Sequence, residues 1–124
     1  AERLGVQDRV RFLGFVSDMR AFHDSLDIFA LPSLWEGFCI AQMEAMTAGL
    51  PVVAFKVSSI PEVVVQGETG LLSQPDAKAL AENLLRLAED APLRERMGRA
   101  GRARVLEHFD VHKVFQDFER CLRA

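Results

Sequence analysis

Short apolar runs alternate with longer amphipathic stretches along the first half of the chain. The runs are bounded by glycine, proline, serine or aspartate, a pattern that favours β-strands separated by turns and helices. The predicted strands cover residues 10–15, 28–31, 52–55 and 71–72. Residues 28–31 and 52–55 are continuously apolar, which is typical of strands buried on both faces of a parallel sheet.

The amphipathic stretches predict helices, and residues that favour helix ends mark several boundaries. Gly49 is expected to end the second helix, and Ser59 to cap the third, which has Pro61 in its first turn. The predicted helices cover residues 19–25, 38–48, 61–65, 76–88, 93–109 and 111–122. Because strands and helices alternate up to residue 72, the predicted fold class is α/β. We expect a parallel sheet of about four strands, flanked by helices and followed by a helical C-terminal tail.

Two carboxylates, Glu36 and Glu44, lie eight positions apart where the predicted strand 28–31 gives way to the helix 38–48. In open α/β sheets, ligands bind at the carboxyl ends of the strands, which is where this turn lies. Glu44 has small or apolar helical neighbours, so its carboxylate should have a partner. That partner is either a pair of ribose hydroxyls or an arginine in a structural salt bridge. Without a ligand, Glu36 would be a turn residue or a charge at the helix N-terminus.

The start of the helix 38–48 is a candidate anion site. Gly37, Phe38 and Cys39 present backbone amides at a helix N-terminus, where the amides and the helix dipole favour phosphate. Cys39 is small enough to keep its amide accessible. No histidine or other base is close to Cys39 in sequence, so packing is a better interpretation of this cysteine than nucleophilic catalysis.

These residues resemble the E-x7-E motif of retaining glycosyltransferases with the GT-B architecture, the glycosyl transferases group 1 or glycosyltransferase family 4. The similarity extends from about residue 10 to residue 109 and includes three further segments in the family's order, residues 48–54, 60–64 and 67–72. The chain departs from the family at Cys39, where relatives carry glycine or another small residue, and at Ser58 and Ser59, where relatives often carry glycine.

The resemblance implies a role for each candidate residue. Glu36 would be catalytic, contacting the donor sugar and stabilising positive charge at the anomeric carbon. Glu44 would bind the ribose, and Gly37, Phe38 and Cys39 the diphosphate. Phe15 and Val16 would hold the nucleobase through backbone atoms, although packing at the end of a strand is an equal alternative for them.

The resemblance also implies a larger protein. Residues 1–124 would form part of the Rossmann-like C-terminal donor-binding domain, and the N-terminal acceptor domain would lie outside them. The full protein would transfer a sugar from a nucleotide-diphospho-sugar donor to an acceptor of unknown identity. A nucleotide-sugar epimerase of the same architecture is one alternative. For the 124 residues alone we expect no activity, at most the weak binding of a non-catalytic α/β module.

Composition excludes several other classes of protein. The 124 residues are 49% hydrophobic with a net charge of −3, which fits a globular domain and gives no footprint for nucleic acid. The sequence contains no D-x-D motif and no clustered metal ligands, so neither a metal nor another cofactor is expected. Two widely spaced cysteines and the lack of a long apolar segment favour a cytoplasmic location, with membrane association of the full protein left open.

The strand order of the family's doubly wound sheet leads to a prediction about assembly. In that order, strand 10–15 would be separated from strand 28–31 by two strands that precede this chain. Strand 28–31 is too apolar to remain an exposed edge. We therefore expect either a homodimer through exposed strand edges or direct pairing of strand 10–15 with strand 28–31.

Overall fold

The computed structural model of the chain describes residues 1–123, apart from the side chain of Phe118. It contains two 3-10 turns near the N-terminus, six α-helices and three β-strands within that range. The turns are Glu2–Leu4 and Gln7–Arg9. The strands are β1 Phe29–Leu31, β2 Val52–Phe55 and β3 Gly70–Ser73. The helices are α1 Met19–Asp24, α2 Ile40–Thr47, α3 Ile60–Val63, α4 Ala77–Glu89, α5 Ala91–His108 and α6 Val111–Arg123.

The three strands form a parallel sheet in the order β1-β2-β3. Ala30 of β1 pairs with Val53 of β2, which in turn pairs with Leu71 of β3. All four residues of the central strand β2 are buried. The α/β class, the parallel sheet and the helical C-terminal tail are therefore confirmed.

Helices cover both faces of the sheet because the side chains of β2 alternate between two hydrophobic clusters. Val52 and Ala54 lie in a cluster with residues of α2, α3 and α5. Val53 points to the opposite face and packs with residues of α4 and α5. The members of the first cluster are Met46, Val52, Ala54, Ile60, Val63, Val64 and Val105. The members of the second are Val53, Leu71, Leu87, Leu93 and Met97.

Two sequence predictions about strands are wrong. Residues 10–15 form no strand, so the described sheet has three strands rather than about four. Phe12 is 87% exposed and Phe15 is 94% exposed, because no neighbouring strand pairs with this segment or covers its side chains. Direct pairing of this segment with β1 is wrong for the same reason, since β1 pairs only with β2 in the described sheet. An apolar run without a hydrogen-bonding neighbour does not become a strand.

The C-terminal end of α2 turns at Gly49, as predicted. Gly49 has a φ of 84°, in the left-handed region that glycine adopts without strain. Its amide donates to the Met46 carbonyl at 2.9 Å, and the Leu50 amide donates to the Ala45 carbonyl at 3.0 Å. The reversal brings the backbone of Gly49 against Gly98 of α5, where an added Cβ would lie 1.9 Å from the Gly49 carbonyl oxygen. The approach of α5 to α2 thus depends on a residue without a side chain at position 98.

Helix α6 exposes the apolar residues Val111, Val114, Phe115 and Leu122. These four residues belong to the apolar stripe predicted for residues 111–122, and no described element covers them. The fifth residue of that stripe, Phe118, has a side chain outside the described part of the chain. No helix in the described range has both the length and the apolar character needed to cross a membrane.

Candidate functional site

The turn between β1 and α2 carries Glu36, and its backbone is held from a neighbouring loop. The Glu36 amide donates to the Ser58 hydroxyl at 3.4 Å, and the Ser59 hydroxyl donates to the Gly37 carbonyl. Glu36 itself is partly buried, and Gly37 is exposed. Ser59 occupies the predicted N-cap position of α3, but its side chain makes no capping hydrogen bond there. The hydroxyl is directed to the turn instead.

Helix α2 begins at an N-terminus that no described side chain caps. Cys39 occupies the N-cap position, is 8% exposed and makes no side-chain hydrogen bond to the first turn of the helix. The first amides of an α-helix have no partner within the helix. Gly37 and Phe38, which precede Cys39, are exposed, so the approach to these amides is open. This geometry suits an anion such as a phosphate.

Glu44 extends from α2 into a cavity of about 610 Å³ between α1, α2 and α5. The side chain is exposed and, among residues 1–123, forms no ion pair within 4.0 Å. The structural salt bridge that was the alternative for Glu44 is therefore not formed within the described chain. Arg20 and Arg102 line the same cavity, which gives it donors suited to anionic or hydroxyl-bearing ligands.

The other predicted site residues lie outside this cavity. Glu36, Phe15 and Val16 are not among the described residues that line it. Phe15 is almost fully exposed, whereas Val16 is partly buried. Because residues 10–15 form no strand, Phe15 and Val16 do not follow the end of a strand as predicted. The structure thus brings Glu36, Gly37, Phe38 and Cys39 together at the start of α2, with Glu44 farther along that helix.

Sequence reasoning missed two residues that join the turn to α5. The ring of Phe109 lies 5.9 Å from the ring of Phe38, and the Arg104 guanidinium lies 5.9 Å from the centroid of Phe109. Arg104 also donates to the carbonyls of Glu62 and Val63, at 2.8 Å each. Arg104 was not among the residues predicted to belong to the site. Its position in the helix could have indicated this contact, because Arg104 directly precedes the buried Val105 and follows the buried Gly101 by three residues.

Within residues 1–123, no group of three or more histidine, cysteine, aspartate or glutamate side chains is placed to hold a metal ion.

Comparison with known proteins gives the family. The model of the family "Glycosyl transferases group 1" matches residues 1–104. D-inositol 3-phosphate glycosyltransferase from Corynebacterium glutamicum (strain R) is 43% identical over 101 residues, which are 79% of this chain and 24% of that protein. The chain thus spans about a quarter of the length of this curated relative.

Two solved structures show the same fold. Anabaena Alr3699/HepE in complex with UDP matches with a TM-score of 0.93 and 32% identity, over 98% of this chain and 34% of that one. HepE is also known in complex with UDP-glucose. The C-terminal domain of the glycosyl transferase group 1 family protein LpcC from Francisella tularensis matches with a TM-score of 0.80 and 28% identity, over 89% of this chain and 58% of that one. The chain therefore belongs to the glycosyl transferases group 1 family, and its fold is that of the C-terminal domain of these GT-B glycosyltransferases.

Proposed function

We propose that this chain binds the nucleotide-diphospho-sugar donor of a retaining, metal-independent glycosyltransferase. Residues 1–124 supply part of the donor-binding domain, and the acceptor domain belongs to a longer protein. The sugar passes from the donor to an acceptor whose identity is open. UDP-glucose is the first donor to test, because HepE, a relative with 32% identity, binds UDP and UDP-glucose.

The observation that carries the proposal is the presence of two features on α2: Cys39 at the N-terminus makes no side-chain cap, and the Glu44 carboxylate has no ion pair among residues 1–123. They lie five positions apart, which is about 7.5 Å along a helix that rises 1.5 Å per residue. A diphosphate at the amides and a ribose at the carboxylate would therefore lie about 1.4 helical turns apart along the helix axis. Carboxylates accept hydrogen bonds from vicinal ribose hydroxyls in other dinucleotide-binding folds.

The catalytic role falls to Glu36. Its turn lies directly before α2, so a sugar attached to a diphosphate at the amides of Gly37, Phe38 and Cys39 would lie beside this carboxylate. Developing positive charge at the anomeric carbon would be stabilised by Glu36. The leaving diphosphate would be stabilised by the helix amides. Phe15 and Val16 remain proposed contacts to the nucleobase.

Nucleotide binding tests the proposal. UDP, GDP and ADP are titrated in turn into the chain and into its Glu44→Ala variant, with binding followed by NMR. We expect one nucleotide to bind, and Glu44→Ala to weaken it about tenfold or more because hydrogen bonds to a charged group are lost. Glu82→Ala is the matched control, since Glu82 is an exposed helical glutamate on α4. Unchanged affinity in Glu44→Ala would contradict the ribose assignment.

Catalysis is tested in the full-length protein with Glu36→Ala. We expect the turnover number to fall by about a hundredfold or more, which is typical when an electrostatic contact to the transition state is lost. The affinity for the nucleoside diphosphate should change little, because Glu36 faces the sugar. A normal turnover number combined with a large loss of nucleotide affinity would reverse the roles of Glu36 and Glu44.

Product analysis separates the two enzymatic alternatives. A glycosyltransferase releases a nucleoside diphosphate and a glycoside, whereas an epimerase returns an altered nucleotide sugar. We propose that the 124 residues alone catalyse neither reaction. The cytoplasmic location expected from the cysteines stays a prediction, as does membrane association of the full protein.

The homodimer also stays a prediction. It is supported by β1, whose outer edge has no partner strand in the described sheet. Sedimentation equilibrium of the chain should show a dimer, and a monomer at the highest soluble concentration would contradict the prediction.

A further inference from the structure

Two adjacent serines after β2 contact the turn that carries Glu36. Ser58 accepts the Glu36 amide at 3.4 Å, and the Ser59 hydroxyl donates to the Gly37 carbonyl. The contacts join residues 22 positions apart in sequence. They are directed to the backbone of the turn, so they bear on where the Glu36 carboxylate and the following amides point. We refer to Ser58 and Ser59 as the serine pair.

The serine pair makes these contacts from a conformation that is unfavourable for its own loop. Ser58 has a φ of 47°, in the left-handed region that disfavours residues with a Cβ. Ser59 stands at the N-cap of α3 yet leaves that helix without a side-chain cap. A loop optimised only for stability would place glycine at the strained position and use the serine hydroxyl to cap the helix. Both departures are explained if the hydroxyls serve the turn.

The loop of the serine pair is itself anchored to α5. Arg104 donates to the carbonyls of Glu62 and Val63 at the end of α3. The same guanidinium lies over Phe109, whose ring contacts Phe38. Phe38 follows the turn directly in sequence. The turn is therefore linked to α3 through the serine pair, α3 is linked to α5 through Arg104, and Phe109 links α5 back to Phe38 beside the turn.

We propose that Ser58 and Ser59 are positioning residues for the donor sugar. They fix the backbone of Glu36 and Gly37, so that the carboxylate and the first amides of α2 keep one geometry toward the sugar and its diphosphate. The proposal rests on the proposed function, because it uses the role of Glu36. The contacts reach Glu36 and Gly37 but not Glu44. Loss of these contacts should therefore affect the sugar end of the donor more than its ribose end. Loss of a hydroxyl should weaken the hold on the sugar more than the hold on the nucleoside diphosphate, because the ribose contact proposed for Glu44 is left intact.

The experiment compares Ser58→Gly and Ser59→Ala with the unaltered chain. Ser58→Gly removes the hydroxyl and keeps the backbone angle accessible. Ser59→Thr retains a hydroxyl and serves as the rescue. Ser25→Ala is the matched control, because the Ser25 hydroxyl donates to the Phe22 carbonyl at 2.7 Å outside the turn. One measurement is amide hydrogen exchange and backbone ¹⁵N relaxation of residues 35–38 without ligand. The other is the ratio of the affinities for UDP-glucose and UDP, from NMR titrations.

We expect faster exchange at Glu36 in Ser58→Gly and increased mobility of Gly37 in Ser59→Ala. We also expect the UDP-glucose to UDP affinity ratio to fall by about threefold or more, the effect of one lost hydrogen bond. Ser59→Thr should restore both readouts, and Ser25→Ala should alter neither.

Unchanged exchange and relaxation in the turn would overturn the proposal, whether or not a nucleotide binds. A looser turn with an unchanged affinity ratio would overturn the positioning role. If the unaltered chain bound neither UDP nor UDP-glucose, the proposed function would fail for this chain and the positioning role with it, whereas the ligand-free measurements would still decide whether the serine pair holds the turn.

Discussion

Strands β1 and β2 are hydrogen-bonded neighbours with similar sequences and very different surroundings. Each is an apolar run that contains one alanine. All four residues of β2 are buried, whereas β1 has Ala30 exposed between the partly buried Phe29 and Leu31. The difference arises because β2 lies between two strands with helices on both faces, while β1 is an edge of the sheet. An apolar run thus indicates a strand without indicating its place in the sheet.

The segment 10–15 is the least covered of three apolar runs in the chain. It too is largely apolar, but the described chain offers it neither a partner strand nor a covering helix. It remains irregular, with Phe12 and Phe15 exposed. Burial therefore decreases from β2 to β1 to the segment 10–15, in step with the number of neighbouring elements. The stability of a strand comes from its neighbours more than from its own sequence.

The largest expected effect comes from placing the same charge on the two strands. Ala54→Lys puts an ammonium group into a site that is 0% exposed, with no partner for the charge, and should lower the free energy of unfolding by about 3 kcal/mol or more. Ala30→Lys places it on an exposed edge, where lysine is tolerated, and should change that free energy by less than about 0.5 kcal/mol. Urea denaturation measures both. Equal losses would show that β1 is covered in solution.

A smaller effect is expected where α5 meets α2. Gly98→Ala would place a Cβ 1.9 Å from the Gly49 carbonyl oxygen and should lower the free energy of unfolding by about 1–3 kcal/mol, the usual cost of overpacking. Gly101→Ala on the same helix is the control, because its Cβ would lie 3.5 Å or more from Met46. It should be neutral or stabilising by up to about 1 kcal/mol, since alanine favours helices. Equal values would mean that the two helices are farther apart than described.

Patterns within a few residues predicted most of the fold. The strands β1, β2 and β3, all six helices and the turn at Gly49 follow from apolar runs, helix periodicity and glycine or proline at the boundaries. The expected strand over residues 10–15 failed because strand pairing involves residues that are distant in sequence. The burial expected for Ala30 also failed, because the burial of an edge strand depends on neighbours that are distant in sequence.

In the candidate site, too, the sequence predicted the residues that are close together in the chain and missed the contacts between distant residues. Glu36, Gly37, Phe38, Cys39 and Glu44 are close in sequence, and a strand-turn-helix pattern was enough to place them on one turn and its helix. The contacts of Ser59 with Gly37 and of Arg104 with Val63 span 22 and 41 residues. No local pattern reports such contacts, so the sequence predicted only a helix cap for Ser59 and no role for Arg104.

The central claim is that Glu44 accepts a ribose hydroxyl of the donor nucleotide, and a thermodynamic cycle tests it most directly. UDP and 2′-deoxy-UDP are titrated into the chain and into Glu44→Ala. We predict that the unaltered chain binds UDP about tenfold more tightly than 2′-deoxy-UDP, the effect of one hydrogen bond to a charged acceptor. Glu44→Ala should bind the two nucleotides equally. The same preference for UDP in both proteins would contradict the claim.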